Sequence, residues 1–97
     1  MYQLVIKPLA LEMVKNAYRW YEQEQPGIGE VFLKEIDICY GKLQLSPDAY
    51  RKINRTYRQL IVSRFPYVIA YQIIKNEVIV YSVFHTSRNP RQKFKRS

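Results

Sequence analysis

Residues 67–85 read Tyr67-Val68-Ile69-Ala70-Tyr71-Gln72-Ile73-Ile74, then Lys75-Asn76, then Glu77-Val78-Ile79-Val80-Tyr81-Ser82-Val83-Phe84-His85. Two apolar, β-branched runs of strand length are split by two residues, one of them Asn, which is the pattern of a tight β-hairpin. The run from Tyr67 to Ile74 is almost continuously apolar, as a central strand covered on both faces requires. Upstream, Tyr57 to Ser63 forms a third strand-length run, separated from the hairpin by Arg64-Phe65-Pro66. Near the start, Gln3-Leu4-Val5-Ile6 is a short β-branched segment closed by Lys7-Pro8. These four runs predict one sheet.

Between the first run and the other three the period changes to that of helices. Ala10, Met13, Val14, Ala17, Trp20 and Tyr21 recur at helical spacing after Pro8, a residue suited to the first helical turn. Pro26-Gly27 ends this helix. A second apolar stripe follows, formed by Ile28, Phe32, Leu33, Ile36, Cys39, Tyr40 and Leu43, and Ser46-Pro47-Asp48 stops it. So short a break between two helices predicts an antiparallel pair. The expected order is β-α-α-β-β-β, an α+β domain with a helical hairpin packed on one face of a mainly antiparallel four-stranded sheet.

At 97 residues, the chain has room for a single domain, residues 1–97, in which 91–97 form a basic tail. Its 47% apolar and 14% aromatic content is that of a chain that folds around a core. One cysteine, Cys39, excludes an internal disulfide and any multi-cysteine metal site, and its place on a helical stripe predicts a core thiol. No stretch of about 18 apolar residues spans a membrane. The first residues lack the pattern of a signal peptide. The expectation is a cytoplasmic domain without cofactor or metal and with no membrane contact.

Charge divides the chain. Residues 1–48 carry five Lys and Arg against seven Asp and Glu, a net −2, whereas residues 49–97 carry eleven against Glu77 alone, a net +10. Such a field favours polyanions or an acidic protein partner. No glycine-rich phosphate loop is present, and His85 is the sole histidine. The candidate chemistry is therefore the basic set around the last three strands. Arg51, Lys52 and Arg55 precede them, Arg58 and Arg64 flank the first of them, and His85, Arg88, Arg91, Lys93, Lys95 and Arg96 follow the last. With Tyr57, Tyr67 and Tyr81 nearby, guanidinium groups could pair with phosphates while bases stack on rings. Each ring would serve equally as core or edge packing.

Together, Arg64-Phe65-Pro66-Tyr67, the strand Val68-Ile69-Ala70-Tyr71 and the ending His85-x-x-Arg88-x-Pro90 resemble the RelE/ParE superfamily of bacterial toxins. Ala17-Tyr18-x-Trp20-Tyr21-Glu22 followed by Gly27-Ile28-Gly29 is similar to its helical hairpin, so the resemblance spans about residues 2–91. It implies the toxin of a type II toxin–antitoxin (plasmid stabilisation) module, held inactive by a cognate antitoxin. Two activities occur in the superfamily. ParE-like members bind and poison DNA gyrase; RelE-like members cleave mRNA on the ribosome without a metal. The RelE pattern has an Arg after the Tyr that opens the central strand, where this chain has Val68, and a Tyr near the C-terminus, where this chain has Phe94. The expectation is a ParE-like inhibitor of gyrase, with Arg55, Tyr67, Arg88, Arg91, Lys93 and Lys95 as target or nucleic-acid contacts. The first alternative is a ribosome-dependent endoribonuclease that uses Arg58, Arg64, His85 and Arg88. The second is a nucleic-acid-binding module without toxicity.

Overall fold

The computed structural model of the chain describes residues 1–87. Its elements run β1 (Gln3–Ile6), α1 (Pro8–Glu24), α2 (Ile28–Leu45), a 3-10 turn (Pro47–Ala49), β2 (Arg58–Ile61), β3 (Tyr67–Ile74) and β4 (Glu77–His85). The sheet order is β1-β4-β3-β2, with β1 parallel to β4 and the other pairs antiparallel. The expected α+β fold, a helical hairpin on a mainly antiparallel four-stranded sheet, is what the chain adopts.

The β3–β4 hairpin closes through Lys75, whose φ of 54° lies in the left-handed region a tight turn demands. Pairing passes from Tyr71↔Val80 to Ala70↔Ser82, so Tyr81 is one residue extra on β4. Without this bulge the pleat would turn Val83 away from the helices. With it, Val78, Val80 and Val83 all reach the main core, on the same side as Tyr67, Ile69 and Tyr71 of β3. That core is closed by Phe32, Ile36, Cys39 and Leu43, one stripe of α2, and by Ala10 and Ala17 of α1. Burial pushes the Cys39 thiol up from its ordinary value, in keeping with a core residue. Tyr71 is fully buried; its hydroxyl donates to the Pro47 carbonyl at 2.5 Å, and desolvation pushes its pKa up to about 12. This bond ties the 3-10 turn to the middle of the sheet.

β1 ends where Lys7 N–H reaches the Val80 carbonyl at 2.9 Å. From Pro8 onward α1 takes over that flank and packs along β4. α1 is thereby placed against the end of β4 that leads to His85. β2 is shorter than the apolar run from Tyr57 to Ser63. Asn54 Oδ1 accepts the backbone N–H groups of Thr56 and Tyr57, which holds that segment as a turn. At the other end, Val62 N–H bonds the Tyr67 carbonyl and closes the turn to β3.

The two helices meet through a carboxylate. Glu22 Oε1 on α1 accepts the N–H groups of Gly27 at 2.9 Å and Gly29 at 2.8 Å. It therefore caps the positive end of α2 from the neighbouring helix. Gly27 has φ 97°, and a Cβ on Gly29 would lie 2.7 Å from both Tyr18 and Glu22. Only glycine lets the helices approach this closely. Gly29→Ala should destabilise the fold by about 1–3 kcal/mol through overpacking and loss of the cap. A urea midpoint equal to that of the parent chain would contradict this packing.

Candidate functional site

The candidate site lies where β3 begins and β4 finishes. Tyr67 and His85 are register partners there, with rings edge to face at 5.2 Å and 83°. The Tyr67 side chain is held from behind by Phe32, at 5.1 Å, and by Tyr21, at 6.2 Å. Phe65, from the β2–β3 turn, inserts against Tyr21 at 5.0 Å and Phe32 at 5.2 Å. Edge-to-face pairs of this kind each add about 0.5–1.5 kcal/mol beyond the area they bury. The cluster fixes both the β2–β3 turn and the platform on which His85 rests.

Beside this platform lies an open cleft between α1 and β4, of about 300 Å³. Met13, Asn16 and Trp20 of α1 line one side, and Tyr67, Phe84 and His85 line the other. Trp20 belongs to the apolar helical stripe, which predicts it in the core; instead it stays 43% exposed at the stripe's margin, edge-on to Tyr21 at 5.1 Å. Across the cleft, the Ser87 N–H donates to His85 Nδ1 at 3.1 Å, and Ser87 Oγ lies 3.4 Å from the same nitrogen. The Nδ1 of His85 thus serves as the acceptor of a bond that ties the ring to the chain just after β4.

The other predicted residues are distributed differently. Arg58 lies opposite Tyr71, four residues along β3 from Tyr67, about 13 Å by strand rise. Its Nη1 donates to the carbonyls of Tyr50 at 2.7 Å and Asp48 at 3.2 Å, fastening the 3-10 turn to β2. Arg64 is nearer to His85 along the sheet but reaches the helical layer. Its Nη1 is 3.4 Å from Glu35 Oε2 on α2, with the arginine side chain 66% exposed and that of the glutamate 12%. A pair with one partner so exposed adds little stability. Arg64 also has φ 73°, at the turn that delivers Phe65. Arg55 is exposed on the loop before β2, and Tyr67 is buried with one edge on the cleft. The structure thus brings Tyr67 and His85 together and leaves Arg55, Arg58 and Arg64 outside their cleft. Arg88, Arg91, Lys93 and Lys95 lie outside the described residues.

On the opposite face of the sheet, Val68, Ala70 and Phe84 form a second buried cluster, with Met13 and Ile53 packed against it. Tyr81 also turns that way; it donates to Gln72 Oε1 at 3.0 Å and meets Tyr57 edge-on at 5.4 Å. Among the described residues no group of three or more His, Cys, Asp or Glu is placed to hold a metal ion, and no helix is long and apolar enough to cross a membrane. Asn16 and Trp20 line the cleft, a placement that periodicity alone does not reveal. The one sequence signal is that Trp20 sits at the stripe's edge, beside polar Arg19 and one turn after Asn16.

Comparison with known proteins places this geometry. A family described as "ParE toxin of type II toxin-antitoxin system, parDE" matches residues 4–90. Among solved structures, the chain is similar to the chromosomal ParDE TA system from P. aeruginosa, with TM-score 0.79 and 15% identity over 90% of this chain and 98% of that one. It is also similar to the isolated E. coli RelE toxin, with TM-score 0.65 and 19% identity over 96% and 93% of the two chains. At these identities the likeness to each structure is one of fold. No curated protein sequence matches.

The contacts of Arg58 give it a structural task. Arg58→Ala should lower the unfolding free energy by about 1–3 kcal/mol, because the Asp48 and Tyr50 carbonyls lose a charged donor. A variant as stable as the parent chain but functionally dead would instead make Arg58 a site residue.

Proposed function

The chain belongs to the ParE toxin family of type II toxin–antitoxin systems, and on that premise we propose that it is a cytoplasmic growth inhibitor that binds DNA gyrase and is neutralised by a cognate antitoxin. The observation that carries this reading is the setting of Val68. The RelE pattern expects an arginine there to stabilise the phosphate charge that develops during RNA cleavage. In this chain the position is 6% exposed, in the apolar cluster with Ala70 and Phe84. The neighbouring arginines do not replace it, since Arg58 is bonded to two carbonyls and Arg64 faces Glu35. Binding makes weaker demands than catalysis: it needs a charged and shaped surface, not converging acid, base and phosphate-stabilising groups. The +10 half of the chain supplies the field, and an acidic antitoxin segment would be its complement.

The ribonuclease reading keeps one observation in its favour. His85 accepts the Ser87 N–H at Nδ1, stands at an open cleft and touches Tyr67, and such a histidine can act as a general acid or base. Among the described residues that line the cleft, none is a Lys or Arg.

Supercoiling by purified gyrase tests the proposal. Added protein should inhibit the reaction, and the cognate antitoxin should restore it. Unimpaired supercoiling at a toxin level that arrests growth in cells would overturn gyrase as the target.

A further inference from the structure

We propose that the outer face of α2 docks on the same face of a second copy of this chain, the two helices running parallel with Ile38, Gly41 and Leu45 at the contact. The inference does not rest on the gyrase reading, and its surface shares no residue with the cleft between α1 and β4. Three observations carry it.

The first is an apolar strip that the fold leaves uncovered. Phe32, Ile36, Cys39 and Leu43 turn one side of α2 toward the sheet, so the opposite side points outward. On that side Ile38 and Leu45 stand seven residues apart, 51% and 68% exposed. With Gly41 between them the spacings are three and four, those of a helix–helix seam.

The second is Gly41 itself. Glycine inside a helix costs stability relative to alanine. The close approach of Tyr18 and Glu22 requires Gly29, whereas a Cβ on Gly41 would meet nothing within 4 Å. No contact within the chain explains this glycine. Its missing side chain leaves bare backbone between Ile38 and Leu45, on which a second helix can seat closely.

The third is the charge beside the strip. Asp37 and Lys42 are exposed on its two flanks, and among the described residues neither forms a salt bridge within the chain. With Ile38 and Leu45 at the a positions of a heptad and Gly41 at d, Asp37 falls at g and Lys42 at e. Charges at those positions pair across two parallel helices. A two-fold axis then makes the pair twice, Asp37 of each copy meeting Lys42 of the other. An antiparallel pairing would set each flank against its own kind, so the charges select the parallel arrangement. A face that completes itself in this way fits a second copy of the chain. Lys34 lies one turn before Ile38 on the same side, and repulsion there confines the contact to the second half of α2. From Ile38 to Leu45 is only about 10 Å of helix. The dimer is accordingly weak, with a dissociation constant of about 10–100 µM.

Sedimentation equilibrium of the full-length protein, from about 1 µM to about 500 µM, brackets that constant. The net charge of +8 opposes association, so the buffer holds about 0.15 M salt to screen it. A reversible monomer–dimer equilibrium is expected. Gly41→Ala should weaken the dimer at least about five-fold while raising the unfolding midpoint of the dilute monomer, a combination that a purely structural role for Gly41 does not produce. Lys42→Glu should weaken it likewise, and adding Asp37→Lys should restore it, since the pairs re-form with their signs exchanged. Leu45→Cys reads the direction of the helices. Equivalent a positions face each other in a parallel pair, so mild oxidation should link two chains through position 45. Cys39 is buried, and Leu11→Cys, exposed on α1, is the control that should stay unlinked. A monomer at every concentration would overturn the proposal, as would a dimer that Gly41→Ala leaves unchanged or tightens, or one that fails to link through position 45. A monomer whose affinity for the cognate antitoxin falls in Ile38→Ser would overturn it too, and would assign this face to the antitoxin.

Discussion

Phe65 is the wedge on which the arrangement depends. It arrives on a turn of only a few residues, after an arginine held at positive φ, and inserts between Tyr21 of α1 and Phe32 of α2. Those same two rings contact Tyr67, and Tyr67 contacts His85 at the end of β4. Four separate parts of the chain are thus locked by one set of ring contacts. The direction of α1 over β4 follows from it, and with that direction comes the cleft between Trp20 and His85. The Glu22 cap does for the helical hairpin what Phe65 does for the sheet. It holds the start of α2 to the last turns of α1, so both helices present their apolar stripes together.

Much of this was legible in the chain. The two-residue Lys75-Asn76 break foretold the β3–β4 hairpin, and the Pro26-Gly27 break foretold the turn between helices. The stripe through Phe32, Ile36, Cys39 and Leu43 was apolar on one side because that side meets the sheet, a local pattern with a local cause. The arginines were not legible in this way. Arg58 became a clamp on the 3-10 turn only because that turn folds beneath β2, which depends on the distant Tyr71–Pro47 bond. Arg64 met Glu35 across 29 residues of sequence. A long, flexible cation takes its partner from tertiary structure, and spacing says little about which one it finds. Trp20 shows the same limit from the apolar side, since a helical stripe is wider than the surface that covers it, and its margin is left for a cleft.

The division of charge gives these details a functional sense. The acidic half builds the helices, and one of its carboxylates, Glu22, serves as an internal cap. The basic half builds three of the four strands, and two of its arginines bond to carbonyls or a carboxylate within the fold. Among the described residues, what is left of the positive field is Arg51, Lys52, Arg55 and Lys75, all exposed outside the strands. On the proposed binding mode, rigidity and recognition are supplied by different charges. The apolar setting of Val68 fits the same logic. A guanidinium there would be a buried cation, which is costly without a paired anion.

The central proposal is growth inhibition by binding a target, without cleavage of RNA. The most direct measurement is primer extension on mRNA in a purified bacterial translation mixture containing ribosomes and the toxin, at levels that arrest cells. The account predicts full-length transcripts with no toxin-dependent stops. Ribosome-dependent cuts that disappear in His85→Ala would contradict it and assign the cleft to catalysis.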